Sequence, residues 1–289
     1  SRWKYLTLLF FAGAALFGLQ AAGLLDPISF LIRSLSLSVL PALNAVIRGF
    51  LDWGFALPSR PVSDLFDGAY TFLRAHFLSF YPSRYQQAFL FFLLFTGVLA
   101  LNRYRTRFFC RFVCPLGGLL GLLSRLGLLR LSMNERCIRC MRCRGACAGG
   151  ANPHTPENWS PSECVTCFNC TATCPEGALE WKFAAGTGTK DRVDVRRRAV
   201  LAAASFGAAS AWVLKTTPAA ARPDPALVRP PGSRKEDDFL SRCVRCGECM
   251  KVCITGGLQP TLLEAGIEGI WTPVLVSRIG YCEYNCTLC

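Results

Sequence analysis

The chain has 289 residues, enough for two or three domains, and 52% of them are hydrophobic with a mean hydropathy of +0.31, which suits a membrane-associated protein better than a large transporter. The formal net charge is +13, but the basic residues form no stripe interleaved with aromatics, so no nucleic-acid partner is expected. Seventeen cysteines in a chain of this size and apolar content also argue against a small disulfide-stabilised secreted domain.

Two stretches are long and apolar enough to predict transmembrane helices. The first, near residues 5–25, lies between Lys4 and Asp26 and carries no charge; at 1.5 Å per residue it can cross the hydrocarbon core of a bilayer. The second, near residues 85–102, is followed by arginines at positions 103, 105, 107 and 111. Because cytoplasmic flanks are rich in Lys and Arg, this end and the N-terminus are expected on the cytoplasmic side of a bacterial inner membrane.

Two further apolar segments are predicted to be interfacial helices. Apolar residues trace one helical stripe over residues 28–47, while Arg33 and several serines occupy the other faces and Pro41 interrupts the pattern. An amphipathic helix in the outer interface, or a re-entrant element, is favoured over a third span. Residues 116–131 are rich in glycine and carry Arg125, so they are placed at the inner interface. Residues 1–131 form the expected membrane domain.

Cys110 and Cys114 lie where the second predicted span leaves the membrane. Being four residues apart, they share a face if the segment is helical. A redox-active dithiol, a site for a soft metal ion such as Cu(I), ligands completed by a partner, and two buried structural thiols all remain open. The two cysteines are therefore candidate metal ligands.

The next cysteines follow the cadence Cys-x2-Cys-x2-Cys-x3-Cys of bacterial ferredoxins, twice within residues 132–185. In a two-cluster ferredoxin the fourth cysteine of each run binds the cluster of the other run. The predicted ligand sets are Cys137, Cys140, Cys143 and Cys174 for one [4Fe–4S] cluster, and Cys164, Cys167, Cys170 and Cys147 for the other. Zinc fits poorly, because a triple at three-residue steps puts too many thiolates in one loop for a tetrahedral site.

A third run predicts a second ferredoxin module over residues 222–289. The same rule gives one cluster the ligands Cys253, Cys282, Cys286 and Cys289, and leaves the other with three, Cys243, Cys246 and Cys249. The odd number of cysteines leads to the same expectation, that the missing ligand follows Cys289 in a longer chain. A non-protein fourth ligand is the alternative. Four [4Fe–4S] clusters are predicted in all.

Residues 186–221 separate the two modules. Three arginines, Arg196, Arg197 and Arg198, precede an uncharged, alanine-rich stretch that reaches Leu214. This stretch is read as a short transmembrane helix or as a segment like a twin-arginine export signal, followed by the start of a proline-rich linker. Either interpretation places the first module in the cytoplasm and the second in the periplasm. The alternative is a buried cytoplasmic helix, because sixteen residues are few for a span.

The composition gives little support to other electron carriers. His76 and His154 are the only histidines and neither lies in a predicted span, so no haem held by this chain alone is expected. No general acid–base or nucleophilic constellation stands out. Any oxidoreductase activity would belong to the clusters and to quinone, a further candidate cofactor whose pocket the sequence does not locate.

Residues 1–185, with the predicted spans, the first two runs and the Cys-x3-Cys-Pro motif at 110–115, resemble the membrane polyferredoxins of the quinol-dehydrogenase type that serve periplasmic nitrate reductase (NapH-like). Residues 190–289, with RCVRCGECMKVC and YCEYNCTLC, resemble the exported ferredoxin partner of that system (NapG-like). The chain looks like a fusion of the two. This resemblance implies an electron-transfer subunit of a quinol dehydrogenase-type oxidoreductase, with other respiratory or cytochrome subunits and a periplasmic redox protein as partners.

The predicted fold class is α+β, with transmembrane helices and two bacterial-type 2[4Fe–4S] ferredoxin-like modules. The favoured function is the relay of electrons from the quinol pool or a cytoplasmic donor to a periplasmic redox partner. Two alternatives are a structural, cluster-bearing subunit of a larger respiratory complex and an assembly factor that supplies copper or another cofactor through Cys110 and Cys114.

Overall fold

The computed structural model describes residues 2–19, 21–56, 60–76, 83–155, 159–183, 196–216 and 227–289. The chain divides into two compact units, one of Ser1–Phe17 with Gly97–Ser210 and the other of Gly18–Thr96 with Ala211–Cys289. The expected mixture of helices and short strands is confirmed. The linker expected to continue beyond residue 216 lies outside the described residues up to position 226.

Helices of the first unit pack closely through small residues. Trp3–Leu16 lies against Pro115–Leu123 and also against Arg197–Thr216. A Cβ atom added to Gly13 would lie only 2.5 Å from the carbonyl oxygen of Ala204, and one on Gly207 would clash with the backbone of Phe10. Small residues that let helix backbones approach this closely are typical of helix pairs in membranes.

The first predicted span is shorter in the structure than in the sequence analysis. The helix Trp3–Leu16 has 14 residues, a rise of about 21 Å, and ends where Gly18 adopts a positive φ of 77°. Glycine takes this backbone conformation without a steric penalty, so the helix breaks there. A short helix, Ala22–Leu25, follows. The continuous helix expected near residues 5–25 is therefore replaced by two shorter ones.

The segment expected to be an interfacial helix over 28–47 belongs to a longer element. Pro27–Phe55 is one continuous helix of 29 residues, and among the described residues it alone is long and apolar enough to cross a membrane. Pro41 does not interrupt it, because a π-helical turn at Leu35–Val39 comes just before. The wider turn relieves the clash between the proline ring and the carbonyl group four residues earlier. Shorter apolar helices are Trp3–Leu16, Ala88–Tyr104 and Pro115–Leu126, and Arg60–His76 forms a further helix.

The segment 116–131 changes from helix to strand. The helix Pro115–Leu123 ends in a 3-10 turn, Ser124–Leu126, and the chain then forms the strand Leu129–Met133. The interfacial helix predicted over 116–131 thus stops five residues early. The cause is tertiary: Leu129–Met133 pairs antiparallel with Leu179–Phe183, a partner some fifty residues away that a local pattern cannot reveal.

In the first ferredoxin module, both cysteine runs come after the first strand of this sheet and before the second strand along the chain. Each run contains a one-turn helix, Arg142–Gly145 and Asn169–Ala172 respectively, and Pro161–Glu163 forms a 3-10 turn before the second run. The buried core consists of Leu131, Ala151, Trp159, Cys170 and Leu179, and other cysteines pack against it. The cysteine side chains are therefore part of the module's core.

The region predicted to be a second ferredoxin module contains the antiparallel pair Leu258–Pro260 and Pro273–Leu275 and the helices Glu236–Arg242 and Glu248–Lys251. Its core is continuous with the hydrophobic helices of the same unit. The buried cluster joins residues from both parts: Leu37, Tyr85, Phe91, Met250 and Leu258. The module is therefore packed onto the Pro27–Phe55 and Ala88–Tyr104 helices.

Hydrogen bonds between buried polar groups reinforce this packing. Arg33, fully buried, donates to the carbonyl oxygens of Arg245 at 3.0 Å and Leu24 at 3.2 Å, and its guanidinium lies 4.2 Å from the ring centre of Trp271. The amide group of Gln259, also fully buried, accepts from the backbone of Gln86 and donates to the carbonyl of Arg84. These contacts fix the third cysteine run against the start of both helices.

Candidate iron–sulfur sites

A cavity of about 420 Å³ in the first module is bounded by cysteines from both of its runs. The cysteines that line it are Cys137, Cys140, Cys143 and Cys174. These are the four that the crossing rule assigned to one cluster, so the structure brings the fourth cysteine of the second run to the first three of the first run. Four thiolates around one cavity are the donor set that a [4Fe–4S] cluster requires.

The reciprocal set also comes together. Burial raises the pKa of the Cys164 thiol, and the charges of Cys147 and Cys167 raise it further. Burial likewise raises the pKa of Cys170, with further contributions from Cys164 and Cys147. Cys147 and Cys164 also pack against the buried core that contains Cys170, so Cys147 lies near two of the first three cysteines of the second run.

In the second module, a cavity of about 270 Å³ is lined by the four cysteines predicted to share one cluster, Cys253, Cys282, Cys286 and Cys289. The other three lie close together at the start of the third run. Burial raises the pKa of Cys249 to about 12, and neighbouring Cys243 and Cys246 contribute to this increase. Cys289 also contributes to the raised pKa of Cys249, so Cys289 lies near these three cysteines.

The backbone around the second cysteine of each run has an unusual conformation that the sequence analysis missed. Residues on both sides of this cysteine have positive φ angles between 49° and 85° in all three complete runs. The flanking pairs are Arg139 and Met141, Thr166 and Phe168, and Arg245 and Gly247. For a residue other than glycine this left-handed conformation costs about 1–3 kcal/mol and persists only where the surroundings impose it. Of these six residues, only Gly247 is of a type that indicates a left-handed conformation in the sequence.

A second repeated feature follows the fourth cysteine of each run. Gly150, Gly177 and Gly256 each stand three residues after that cysteine, have φ between 57° and 66°, and donate their N–H to its carbonyl oxygen. This turn needs the left-handed conformation that glycine adopts readily. The shared spacing Cys-x2-Gly was visible in the sequence and could have revealed the turn.

Backbone N–H groups point at several cysteine sulfurs. Ala151 donates to the Sγ of Cys147 and Ala178 to the Sγ of Cys174, each at 3.3 Å, at the same point of the two runs. Such donors favour the thiolate form that binds iron and help to set the potential of a cluster. None of the seventeen cysteines, all of which lie within the described residues, forms a disulfide. Cavities, unoxidised cysteines and N–H donors together fit [4Fe–4S] clusters, which would supply one-electron redox chemistry when bound.

Cys110 and Cys114 do not share one regular α-helical face. Cys110 lies in a π-helical turn, Phe109–Val113, whereas Cys114 has an extended backbone and caps the Pro115–Leu123 helix, its Sγ accepting from the N–H of Gly117 at 3.3 Å. Cys114 is only 2% exposed. In the described part of the chain, no group of three or more His, Cys, Asp or Glu side chains is placed to hold a single metal ion.

Cys110 instead lines a small cavity of about 100 Å³ beside the second predicted cluster. Cys164 and the ion pair between Lys4 and Glu163, 3.0 Å apart, lie in the same wall. Lys4 also donates to the carbonyl oxygen of Ser162 at 3.0 Å. This region holds the first ferredoxin module against the Trp3–Leu16 helix.

Replacing both Cys110 and Cys114 by serine is expected to leave the iron and inorganic sulfide content of the purified chain unchanged. The reason is that each cluster of the first module already has four thiolates from its own runs. Iron and sulfide assays on anaerobically purified protein check this, with Cys140→Ala as a control that should lower both. A loss of about four iron atoms in the double variant would instead assign these cysteines to a cluster.

Comparison with known proteins supports 4Fe–4S clusters as the type of cofactor. Residues 131–175 match a 4Fe-4S dicluster domain family, and residues 87–134, which contain Cys110 and Cys114, match a 4Fe-4S binding domain family. The chain is similar to the methylamine utilization ferredoxin-type protein MauM of Methylorubrum extorquens, 41% identical over 71 residues that cover 24% of this chain and 30% of the relative. No solved structure matches the chain.

Two other relatives are also ferredoxin-type proteins that match over part of their length. The ferredoxin-type protein NapG of Escherichia coli is 40% identical over 63 residues, 22% of this chain and 27% of the relative. MauM of Paracoccus denitrificans is 35% identical over 101 residues, 35% of this chain and 41% of the relative. The chain thus spans less than half the length of these relatives, and the match to a NapH-like membrane protein expected from the sequence is not among these similarities. The chain therefore contains a region, residues 131–175, that matches a 4Fe–4S dicluster domain family, and a stretch that is similar to part of the ferredoxin-type proteins NapG and MauM.

Proposed function

We propose that this protein is a membrane-bound relay with four [4Fe–4S] clusters that passes electrons from the quinol pool, or from a cytoplasmic donor, to a periplasmic redox protein. Within this proposal the chain joins a NapH-like membrane part to a NapG-like exported module and works with other respiratory or cytochrome subunits. The observation that carries it is the cavity bounded by Cys137, Cys140, Cys143 and Cys174, which unites two cysteine runs around one space. Its counterpart in the second module is bounded by four further cysteines.

The hydrophobic helices support a position in the bacterial inner membrane. Pro27–Phe55 has the length and composition of a span, and Ala88–Tyr104 is apolar and ends at a cluster of arginines without acidic residues. If the arginine-rich end is cytoplasmic, the start of the Ala88–Tyr104 helix reaches the periplasmic side. The second module is fastened to residues 84–91 at that start, which favours a periplasmic position for it.

Within this relay the protein's own residues hold and insulate the redox centres. Thiols of the four cysteine sets would bind them, N–H groups such as that of Ala178 would tune them, and Trp159 and Trp181, in edge contact at 5.9 Å, shield the first module's core from water. These roles need no acid–base group, which agrees with the lack of a catalytic constellation in the sequence.

Quinol-dependent reduction of the clusters tests the proposal. The full chain in lipid nanodiscs, free of oxygen, is expected to lose its visible cluster absorption when a quinol without an isoprenoid tail, such as duroquinol, is added. Dithionite serves as the control that the clusters can be reduced. Reduction by dithionite but not by quinol would remove the quinol pool as the donor and favour a structural, cluster-bearing subunit or a cytoplasmic donor.

A further inference from the structure

A cavity of about 420 Å³ lies between the Pro27–Phe55 and Ala88–Tyr104 helices, apart from the cysteine-lined cavities. Its volume falls within the range of about 300–1,000 Å³ typical of small-molecule sites. One wall comes from Ser38, Pro41 and Ala42 of the first helix, and the other from Ala88, Phe89 and Phe92 of the second. Both helices are apolar, and Ala42 and Phe89 in its walls are exposed, so the cavity is accessible from the apolar surface of the helices.

One end of the cavity is polar and the other is not. Ser83, Arg84 and Tyr85 form the polar end, just before the Ala88–Tyr104 helix begins. Phe89 and Phe92, which are 75% and 46% exposed, leave aromatic faces at the other end. A flat ring with hydroxyl or carbonyl groups at its edges would place its faces against these aromatics and one of its oxygens at the polar end.

Tyr85, at the polar end, connects the cavity to two cysteines that are predicted cluster ligands. Tyr85 is 7% exposed, interacts with the hydroxyl of Ser83 and donates its own hydroxyl to the carbonyl oxygen of Met250 at 3.1 Å. Met250 follows Cys249 in the chain, and both Cys249 and Cys253 pack against the core to which Tyr85 and Met250 belong. Under the predicted ligand sets, these two cysteines belong to the two different clusters of the second module.

We infer that this cavity binds the head group of a membrane quinol, with its ring between Phe89, Phe92 and Ala42 and its two oxygens, which lie on opposite edges of the ring, among the hydroxyl groups of Ser38, Ser83 and Tyr85. The inference rests on the proposed function, because it names the place where the quinol would bind. Oxidation of one quinol to the quinone would release two electrons, one for each [4Fe–4S] cluster of the second module, and two protons to water at the exposed Arg84 end. A phospholipid acyl chain is the competing occupant, but it would leave the three hydroxyl groups without a partner in the ligand.

The test uses the full chain in nanodiscs and two readouts, photolabelling by an azido-benzoquinone with a short isoprenoid tail and cluster reduction by duroquinol. Ala42→Trp fills the cavity with an indole ring, whereas Ala45→Trp adds the same ring at an exposed position of the same helix that does not line the cavity. In the unmodified chain we expect saturable labelling within residues 38–42 or 83–92. In Ala42→Trp we expect labelling and the rate of quinol-dependent reduction to fall about tenfold, equivalent to about 1.4 kcal/mol, while Ala45→Trp keeps both.

Iron content and full reduction by dithionite show whether each variant is intact. Tyr85→Phe provides a milder variant, because it retains the ring and loses only the hydroxyl. In this variant too we expect labelling and the rate of quinol-dependent reduction to fall. Labelling that maps elsewhere, that rises without saturation like simple partition into lipid, or that is unchanged in both Ala42→Trp and Tyr85→Phe would overturn the site. Labelling that is lost in Ala42→Trp, in a chain that duroquinol never reduces, would uphold the site and refute the quinol-relay function.

Discussion

Replacing Cys174 by alanine is expected to remove the same cluster as replacing Cys140, although the two cysteines belong to different runs. Both line the cavity that unites the two runs. Each single variant should lose about four iron atoms per chain, since a cubane that lacks one of its four thiolates is no longer held firmly. The measurement is iron and inorganic sulfide per chain after anaerobic purification.

Double variants make this test independent of any spectral assignment. Cys140→Ala combined with Cys174→Ala should lose no more iron than either change alone, because both remove ligands from one cluster. Cys140→Ala combined with Cys167→Ala should lose about twice as much, because Cys167 lies in the reciprocal set with Cys147 and Cys164. If Cys174→Ala instead proved additive with Cys140→Ala and not with Cys167→Ala, the crossed ligand sets would be wrong.

The same variants should also destabilise the first module. Its buried core includes Cys170, and Cys143, Cys147 and Cys164 pack against it, so few apolar contacts remain when a cluster is missing. In small metal-binding domains the free energy of metal binding is largely the free energy of folding. Faster proteolysis of residues 132–183 than of the second module is the expected accompanying sign.

Replacing Arg33 by leucine is expected to release the second ferredoxin module from the helices on which it packs. The change removes two charged hydrogen bonds, to the carbonyl oxygens of Arg245 and Leu24, and a guanidinium–indole contact with Trp271. Charged hydrogen bonds contribute about 1.5–3 kcal/mol each and a desolvated cation–π contact about 2 kcal/mol. We expect a loss of roughly 3–5 kcal/mol in the stability of this packing.

Hydrogen–deuterium exchange of the intact chain measures this effect. Amides within residues 84–91 and 243–275 should exchange at least about a hundredfold faster in Arg33→Leu, because local opening depends on the lost free energy. Leu31→Ala, on the same helix at a residue that is 47% exposed, is the matched control and should change little. Unchanged protection in Arg33→Leu would mean that the shared apolar core holds the module without the arginine.

Much of the candidate cluster chemistry was predictable because ligand spacing is a local property. Three-residue steps place consecutive thiols around one centre, and the crossing of the fourth cysteine follows from pairing two such runs. The structure brings Cys174 to the set containing Cys137, and Cys147 to the set containing Cys164, as this spacing required. The left-handed residues beside each second cysteine were not predictable, because Arg139 and Thr166 take that conformation only under the constraint of the surrounding loop.

The helices were predicted less well, since hydrophobicity alone does not show where a helix breaks. Gly18 ends the first predicted span early, and a π-helical turn lets the Pro27–Phe55 helix continue through Pro41. Likewise the end of the 116–131 segment became a strand because of a distant partner, Leu179–Phe183. In each case a single residue's backbone angle or a long-range pairing outweighed the local pattern.

Spacing along the chain was enough to predict [4Fe–4S] clusters and two ferredoxin modules, because three of the four ligands of a cluster lie close together in sequence. The packing of the second module depends on contacts between residues more than 150 positions apart, such as Arg33 with Arg245 and Tyr85 with Met250. Tyr85, which lines the cavity between Pro27–Phe55 and Ala88–Tyr104, also belongs to the core against which Cys249 packs. No periodicity or motif in the sequence predicts these long-range contacts. They form only when buried surfaces from distant segments pack together and their polar groups form hydrogen bonds with each other.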